Sequence, residues 1–220
     1  MGLRMETHFF FKGSKLLKLD TYNIKDIYMK FKQEENDPQN YYWYQKGFSK
    51  EELDKIYKDL ENVPFKKATT LSGESDKTVR SSRVKWIPRN ENWNWLYDKL
   101  MEMAVTANDV SWKFDLVSAD ELIQYTEYLA EDEGHYTWHQ DIGPGMASLR
   151  KVSITVQLSE ASEYDGGNLE IWRGGDNVVT TEKNAGVVMI FPSYMMHRVS
   201  KVTKGKRRSF VLWVGGQHYK

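Results

Sequence analysis

The chain has 220 residues and carries 31 Lys and Arg against 31 Asp and Glu, so its formal net charge is zero. That length favours one domain with a hydrophobic core, and the neutral balance argues against a general nucleic-acid binder. The absence of cysteine excludes disulfides, thiol catalysis, Cys-based zinc sites and iron–sulfur clusters. No apolar run is long enough to span a bilayer, and the N-terminus lacks a signal-peptide pattern. We therefore expect a globular, cytoplasmic protein without a membrane anchor.

The first 40 residues differ from the rest of the chain. Residues 33–40 are polar and contain Pro38, which is typical of a linker or loop. We predict that residues 1–40 are an N-terminal extension packed on a domain formed by residues 41–220.

Two helices are predicted in the first half of the domain. Residues 51–60 have apolar residues at helical spacing, and Ser49 with Glu52 fits a capping box before them. Residues 93–107 keep the same spacing. The segments 66–70 and 79–87, which lie between the two helices, are predicted to be strands.

Short strands separated by turns follow the second helix. Residues 152–158 alternate apolar and polar side chains, which predicts one apolar and one polar sheet face. Further strands are predicted at 168–172, 187–191 and 209–214, and Lys204-Gly205-Lys206 is predicted to be a turn. Two helices followed by many short strands indicate an α+β protein with a sandwich or barrel-like sheet.

Three residues have the chemistry of a metal site. His139 and Asp141 are two residues apart and would share one face of an extended segment, and His197 lies on a later strand. Two histidines and one carboxylate with open positions are typical of non-haem Fe(II) oxygenases, whereas a structural zinc site closes its shell with four ligands. Such a pattern also occurs by chance among surface and hydrogen-bonded histidines. The pattern alone leaves both interpretations open.

Arg207 adds a second feature. It lies ten residues after His197 and leads directly into an apolar strand, where a charge needs a partner. A dicarboxylate co-substrate would supply one, because guanidinium binds carboxylate in bidentate geometry. Ser209 lies on the same strand face and could add a hydroxyl donor. The rest of the basic run 201–208 is predicted to be a solvated hairpin.

Four segments together resemble the prolyl 4-hydroxylase-like family of 2-oxoglutarate/Fe(II) dioxygenases. They are the Tyr-x-x-His-x-Asp segment in 134–141, the Gly-Gly turn in 164–169, the distal-histidine strand in 191–199 and the arginine segment 202–207. Trp213 also fits. The resemblance covers residues 45–217, is close over about 120–215, and is nearest to bacterial and phage-encoded hydroxylases that have Arg rather than Lys at the co-substrate position.

The resemblance implies a double-stranded β-helix (a jelly roll, cupin-like) with helices packed on the outer sheet. It implies that Fe(II) is bound by His139, Asp141 and His197, and that 2-oxoglutarate chelates the metal while Arg207 and Ser209 hold its C5 carboxylate. The implied reaction is a hydroxylation by O2 that releases succinate and CO2. Ascorbate is the implied reductant for oxidised iron.

The resemblance also implies further co-substrate contacts. Gln157 falls near the distal carboxylate, at a position where many relatives have Tyr. Tyr128 falls at the co-substrate tyrosine. The segment between Tyr128 and Tyr136 is about two residues longer than the commonest pattern, so Tyr125 is a rival for that role.

Substrate contacts are assigned to Tyr136, Arg150 and Trp138. Arg150 matches a substrate-contacting arginine of some relatives, and a surface position beside Lys151 is an equal alternative. Trp138 either walls the substrate mouth or packs in the interior, and packing is favoured. Specificity in this fold resides on loops, here 68–82 and 130–138.

The substrate implied by the resemblance is a prolyl residue in a peptide or protein. The same chemistry on a free amino acid, another small molecule or a nucleobase stays open, and the neutral charge weakens the nucleobase alternative. A non-catalytic metal-binding jelly-roll protein and a metal-dependent hydrolase are two further alternatives, and Arg207 argues against both. If the chain is phage-encoded, its location would be the host cytoplasm. The oligomeric state stays open.

Overall fold

A computed structural model describes residues 40–67 and 76–218 of the chain. These residues belong to one compact unit, Pro38–Lys220. The predicted extension 1–40 lies outside the described residues apart from Asn40, and the predicted loop 68–82 is described only from Asp76 onward. No helix among the described residues is long and apolar enough to cross a membrane.

The described residues form two α-helices, fourteen strands and three short 3₁₀ segments. The helices are α1 (Lys50–Leu60) and α2 (Asn94–Ser111). The strands are β1 (Tyr42–Tyr44), β2 (Lys66–Lys67), β3 (Arg80–Ser81), β4 (Arg83–Ile87), β5 (Leu116–Ser118), β6 (Ile123–Leu129), β7 (His135–His139), β8 (Arg150–Gln157), β9 (Tyr164–Gly166), β10 (Leu169–Trp172), β11 (Val178–Thr180), β12 (Val188–Pro192), β13 (His197–Val199) and β14 (Val202–Gly216). The 3₁₀ segments are Ala130–Asp132, Gly145–Leu149 and Ala161–Glu163.

The strands form two antiparallel sheets. The larger sheet runs in the order β1-β12-β8-β14-β6-β4-β2, with β5 and β9 paired to β14, and the smaller sheet runs β11-β10-β13-β7-β3. Strands that are distant in sequence therefore become neighbours, as in a double-stranded β-helix, and the predicted jelly roll is confirmed.

The central strand β8 separates the core from the interior of the jelly roll. Its apolar residues Val152, Ile154 and Val156 pack in one core cluster with the helices, including Ile56 of α1 and Leu100 of α2. The helices thus cover the outer face of the larger sheet, as predicted. The alternate residues of β8 (Ser153, Thr155 and Gln157) are polar and buried on the other side.

Both predicted helices form, with small shifts at their ends. Helix α1 begins at Lys50, and Ser49 and Glu52 make the predicted capping box, with distances of 3.3 and 2.8 Å. Helix α2 extends four residues beyond the predicted end. Its last turn is stabilised by Asn108, whose side chain donates to the Phe114 carbonyl and accepts from the Phe114 N–H.

The turn predicted at Lys204-Gly205-Lys206 is wrong. These residues lie inside β14, and Gly205 (φ 71°) bends the strand where β9 crosses it. A Cβ at Gly205 would lie 2.0 Å from the Glu163 carbonyl oxygen, so glycine is needed for this close approach. The basic run is also less solvated than predicted, because Lys206 and Arg208 lie 3.7 and 3.9 Å from the buried Glu127 carboxylate.

Candidate active site

The three predicted metal ligands meet at one point. The pairing of β7 with β13 sets His139 directly opposite His197. Asp141 follows β7 by two residues, and its N–H donates to the Ser193 carbonyl just before β13. The Asp141 carboxylate lies 3.9 Å from His139 Nε2 and 3.6 Å from His197 Nε2. All three ligand atoms lie within 4.8 Å of one another.

Hydrogen bonds orient both imidazoles for metal binding. His139 Nδ1 lies 2.7 Å from the Thr137 carbonyl oxygen, and His197 Nδ1 lies 2.9 Å from that of Met195. Because a carbonyl oxygen can only accept, each Nδ1 carries the proton. The lone pair of each Nε2 therefore points into the site, which is the tautomer that a metal requires.

The Asp141 carboxylate is also fixed from behind. The Ser153 hydroxyl donates to it at 2.6 Å and lies 3.0 Å from the Ser193 hydroxyl. Burial by itself raises the pKa of Asp141, but the two imidazoles and the Ser153 hydrogen bond outweigh burial and hold the pKa below its ordinary value. The carboxyl is therefore ionised at neutral pH.

Burial and the neighbouring His197 lower the pKa of His139 to about 3. The imidazole is then neutral at physiological pH. Two imidazoles and one carboxylate on one side of a point form an open, three-ligand donor set that suits a divalent iron. The residues present thus fit the metal that the sequence predicts.

A cavity of about 240 Å³ opens beside these ligands. It is lined from both sheets, with Tyr128 and Ser209 on the larger sheet and Leu169 and Val199 on the smaller. Arg207 lies in its wall and is only 2% exposed.

Arg207 makes no ion pair with any described residue. Its Nη1 donates to Ser209 Oγ at 3.2 Å, and its guanidinium carbon lies 5.5 Å from the Tyr128 ring centroid. A buried guanidinium with hydroxyl and aromatic neighbours is suited to bind an anionic ligand.

The register of β6 on β14 separates the two candidate tyrosines. Tyr128 pairs with Arg207 and lines the cavity. Tyr125 lies on the opposite face, where its ring packs against Phe210 and its hydroxyl donates to Glu127 at 2.7 Å. Of the two tyrosines, only Tyr128 lines the cavity next to Arg207.

Gln157 is buried close to this region but is not among the residues that line the cavity. Its amide nitrogen donates to the Tyr164 hydroxyl at 2.9 Å and to the Ser159 carbonyl at 3.2 Å.

The three predicted substrate residues have different positions. Tyr136 lines the cavity and stacks on His139, with ring centroids 3.5 Å apart. Arg150 also lines it, but is buried rather than on the surface. It is held by two hydrogen bonds to the Glu121 carboxylate and one to the Asp141 carbonyl. Trp138 lies outside the lining, under the Arg198 guanidinium at 4.7 Å.

Sequence reasoning did not single out three further lining residues: Arg80, Trp86 and Gln124. Arg80 lies in the described part of the predicted loop 68–82, and its guanidinium carbon is 4.9 Å from the Tyr136 ring centroid. Trp86 and Gln124 are paired across β4 and β6. The signal for them is the two-residue period, which puts Gln124 and Tyr128 on one face of β6.

Fold and site together define a class: jelly-roll proteins with an open metal site of two histidines and one carboxylate. The model of the 2OG-Fe(II) oxygenase superfamily matches residues 123–215, the stretch that contains all three ligands and Arg207. Over this stretch the chain is similar to members of that superfamily, and this similarity implies Fe(II), 2-oxoglutarate and O2.

Individual relatives agree with this assignment. A PKHD-type hydroxylase of Prochlorococcus marinus (strain MIT 9515) is 30% identical over 151 residues, which cover 65% of each chain. A PKHD-type hydroxylase of Teredinibacter turnerae is 37% identical over 86 residues, 37% of this chain and 38% of the relative. The chain thus spans less than two thirds of the length of these two curated relatives.

A similar fold occurs in a solved structure. The prolyl hydroxylase from Trichoplax adhaerens, in complex with a hypoxia inducible factor oxygen degradation domain peptide fragment, matches with a TM-score of 0.69 at 15% identity. The match covers 80% of this chain and 84% of that one. At this identity, the match establishes the shared fold.

Proposed function

We propose that the chain is an Fe(II)- and 2-oxoglutarate-dependent hydroxylase that acts on a prolyl residue of a peptide or protein and releases succinate and CO2. One observation carries the proposal. A single cavity contains both the open donor set of His139, Asp141 and His197 and the buried Arg207, which has no ion pair among the described residues. A metal-dependent hydrolase or a binding protein has no need of the second feature.

The residues around the donor set have defined tasks. His139 and His197 would bind Fe(II) through Nε2 and Asp141 through its carboxylate, leaving the cavity side of the metal open. When bound, iron and 2-oxoglutarate supply the chemistry that activates O2 and hydroxylates a C–H bond. The chain holds its ligands in one orientation through the Thr137 and Met195 carbonyls.

The co-substrate would lie between the metal and the base of the cavity. Arg207 would bind its C5 carboxylate, with Ser209 as a further donor and Tyr128 against the guanidinium. Gln157, which is buried but does not line the cavity, would act indirectly through its hydrogen bond to Tyr164. 2-Oxoglutarate is a dianion. Of the two buried arginines that line the cavity, Arg150 is paired with Glu121 and Arg207 has no ion pair among the described residues, so the distal carboxylate is favoured at Arg207.

The prolyl substrate would enter beside Tyr136 and Arg150, which line the cavity near the metal ligands. Trp138 would contact only a part of the substrate outside the cavity. The relatives of this chain support a prolyl substrate, because they are PKHD-type and prolyl hydroxylases.

Several further assignments belong to the same proposal. Residues 41–220 are the catalytic domain and residues 1–40 an extension of it. Ascorbate serves as the reductant that restores oxidised iron, and the enzyme acts in the cytoplasm, or in the host cytoplasm if the chain is phage-encoded. Neither a membrane nor nucleic acid is a partner.

Mass spectrometry of product mixtures tests the substrate class. The Fe(II)-loaded chain is incubated with 2-oxoglutarate, ascorbate, and either proline-containing peptides or free amino acids. We expect a mass gain of one oxygen atom on proline in peptides, and matched peptides with alanine in place of proline should not react. Hydroxylation of free amino acids alone would overturn the prolyl-peptide assignment and leave the cofactor chemistry intact.

A further inference from the structure

A buried tyrosine lies directly behind Arg207. Tyr164, the first residue of β9, is among the largest fully buried side chains and is not part of the cavity lining. A Cβ built on Gly167 would meet Tyr164 Cε2 at 3.1 Å and Arg207 Cδ at 3.2 Å. The phenol ring and the arginine stem therefore come together over a glycine, and Gly167 (φ 56°) leaves the space for this packing.

The Tyr164 hydroxyl has a buried hydrogen-bond donor. It accepts a hydrogen bond from Gln157 Nε2 at 2.9 Å. Burial raises the pKa of Tyr164 against the opposing effect of the Arg207 guanidinium, which interacts with the same hydroxyl. The phenol is therefore neutral at physiological pH, and its ring lies near the Arg207 stem at Gly167.

A lysine fixes the other side of the ring. Lys183 Nζ lies 4.1 Å from the Tyr164 ring centroid and donates to the Gly166 carbonyl at 3.0 Å. The contact with a cation adds to the packing that holds the ring in place. Tyr164 is thus restrained by Gln157 at its hydroxyl and by Lys183 at its face.

These contacts set the orientation in which the Arg207 guanidinium would meet a carboxylate. Ser209 takes a hydrogen bond from Nη1, and Tyr164 interacts with the group from the β9 side. An arginine that is held by Ser209 at Nη1 and confined by the Tyr164 ring near its stem loses less conformational freedom when it binds a carboxylate, because many of its rotamers are already excluded. It also keeps its planar edge in the orientation that bidentate pairing needs.

We propose that Tyr164 is a positioning residue for the distal carboxylate of the co-substrate. It fixes the guanidinium of Arg207 and is itself fixed by Gln157 and Lys183. The inference rests on the proposed function, since it assumes that Arg207 binds a dicarboxylate. Tyr164 should therefore affect keto acids that carry a second carboxylate and leave the binding of the keto-acid head unchanged.

The test compares two ligands on the Mn(II)-loaded chain of 220 residues by calorimetric titration. The ligands are 2-oxoglutarate and 2-oxovalerate, which has the same keto-acid head and a methyl group in place of the distal carboxylate. Tyr164→Phe removes only the hydroxyl. We expect 2-oxoglutarate affinity to fall on the order of three- to tenfold, the range of a single hydrogen bond, with 2-oxovalerate affinity unchanged.

Two further variants make the result specific. Tyr125→Phe removes another buried, hydrogen-bonded hydroxyl of the same sheet, but from its outer face, and should change neither affinity. Gln157→Met removes the donor that holds the Tyr164 hydroxyl, and should weaken 2-oxoglutarate selectively even if Tyr164→Phe does not fold.

Arg207→Ala distinguishes a failure of the positioning role of Tyr164 from a failure of the proposed function. If Arg207→Ala loses 2-oxoglutarate and Tyr164→Phe retains wild-type affinity, the positioning role is wrong and the proposed function stands. Equal weakening of both ligands by Tyr164→Phe would likewise overturn the positioning role. If Arg207→Ala binds 2-oxoglutarate as tightly as wild type, the co-substrate assignment itself fails, and this inference fails with it.

Discussion

Arg207 is the residue on which the co-substrate assignment depends most. A charge-assisted hydrogen bond contributes about 1.5–3 kcal/mol, so Arg207→Ala should weaken 2-oxoglutarate binding roughly ten- to a hundredfold. Arg207→Lys should lose less 2-oxoglutarate affinity than Arg207→Ala, because lysine keeps the charge although it lacks the bidentate geometry. Metal affinity should be unchanged, since Arg207 is not a ligand. Titration of 2-oxoglutarate into the metal-loaded variants measures the first two effects, and titration of metal into the metal-free protein measures the third.

The neighbouring arginine provides a matched control. Arg208 has the same charge but points to the outer face, where it pairs with Glu127 and Glu163. Arg208→Ala should retain wild-type 2-oxoglutarate affinity. Unchanged affinity in Arg207→Ala together with a loss in Arg208→Ala would mean that the wrong cation has been assigned.

Ser153 is predicted to matter for the metal although it is not a ligand. Its hydroxyl donates to the Asp141 carboxylate at 2.6 Å, and loss of such a partner typically costs ten- to a hundredfold in metal affinity. We expect Ser153→Ala to show that loss in a competition assay with a metal indicator. Ser159→Ala, which removes a buried hydroxyl near the other end of β8, is the control and should bind metal normally. Equal affinities in the two variants would contradict the predicted role.

The burial of Tyr125 predicts how the free energy of unfolding changes at alkaline pH. Burial, together with the hydrogen bond and charge of Glu127, raises its pKa above the ordinary 10.0. The folded state therefore disfavours the phenolate. The stability that Tyr125 contributes is fully present below pH 10.0 and is lost as the pH rises above that value, by up to about 1.4 kcal/mol per pH unit. Urea unfolding at about pH 9 and about pH 11 should show a shallower decline in Tyr125→Phe than in wild type. Parallel declines would contradict the assignment.

Among the elements, α1 illustrates a local signal that determined the structure. Its capping box was predicted from Ser49 and Glu52, and Glu52 also pairs with Lys99 of α2 at 2.5 Å. Ser49→Ala should lower the free energy of unfolding by about 1 kcal/mol, as measured in urea. Because α1 lies on the outer face of the larger sheet, 2-oxoglutarate affinity should not change. A drop in affinity of the folded variant would mean that α1 is coupled to the cavity.

Strands were predictable where burial differs between their two faces. The alternation in β8 is legible because Val152, Ile154 and Val156 enter the core while Ser153 and Thr155 face the site. Strand β14 was harder. Its Lys204-Gly205-Lys206 segment has the composition of a turn. Pairing of Lys204 and Gly205 with β9, which is not visible locally, keeps the segment within the strand.

At the scale of the whole molecule, the three candidate metal ligands and Arg207 could be predicted because each lies in a short motif that is recognisable by itself, although the motifs are far apart in sequence. Arg80, Trp86 and Gln124 could not, because only the pairing of β4 with β6 and of β3 with β7 brings them to the cavity. The choice between Tyr125 and Tyr128 also depended on register, since the pairing of β6 with β14 sets Tyr128 beside Arg207. Residues in local motifs could therefore be predicted from the sequence, and residues placed by long-range strand pairing could not.

The most direct test of the central claim is succinate formation by the purified 220-residue chain with Fe(II), ascorbate, O2 and 2-oxoglutarate. Wild type should form succinate slowly alone and faster with proline-containing peptides. Asp141→Ala should form none, because it lacks the anionic ligand, while its circular dichroism stays native. Absence of succinate from wild type across a broad panel of peptides and metabolites, or wild-type turnover by Asp141→Ala, would contradict the account.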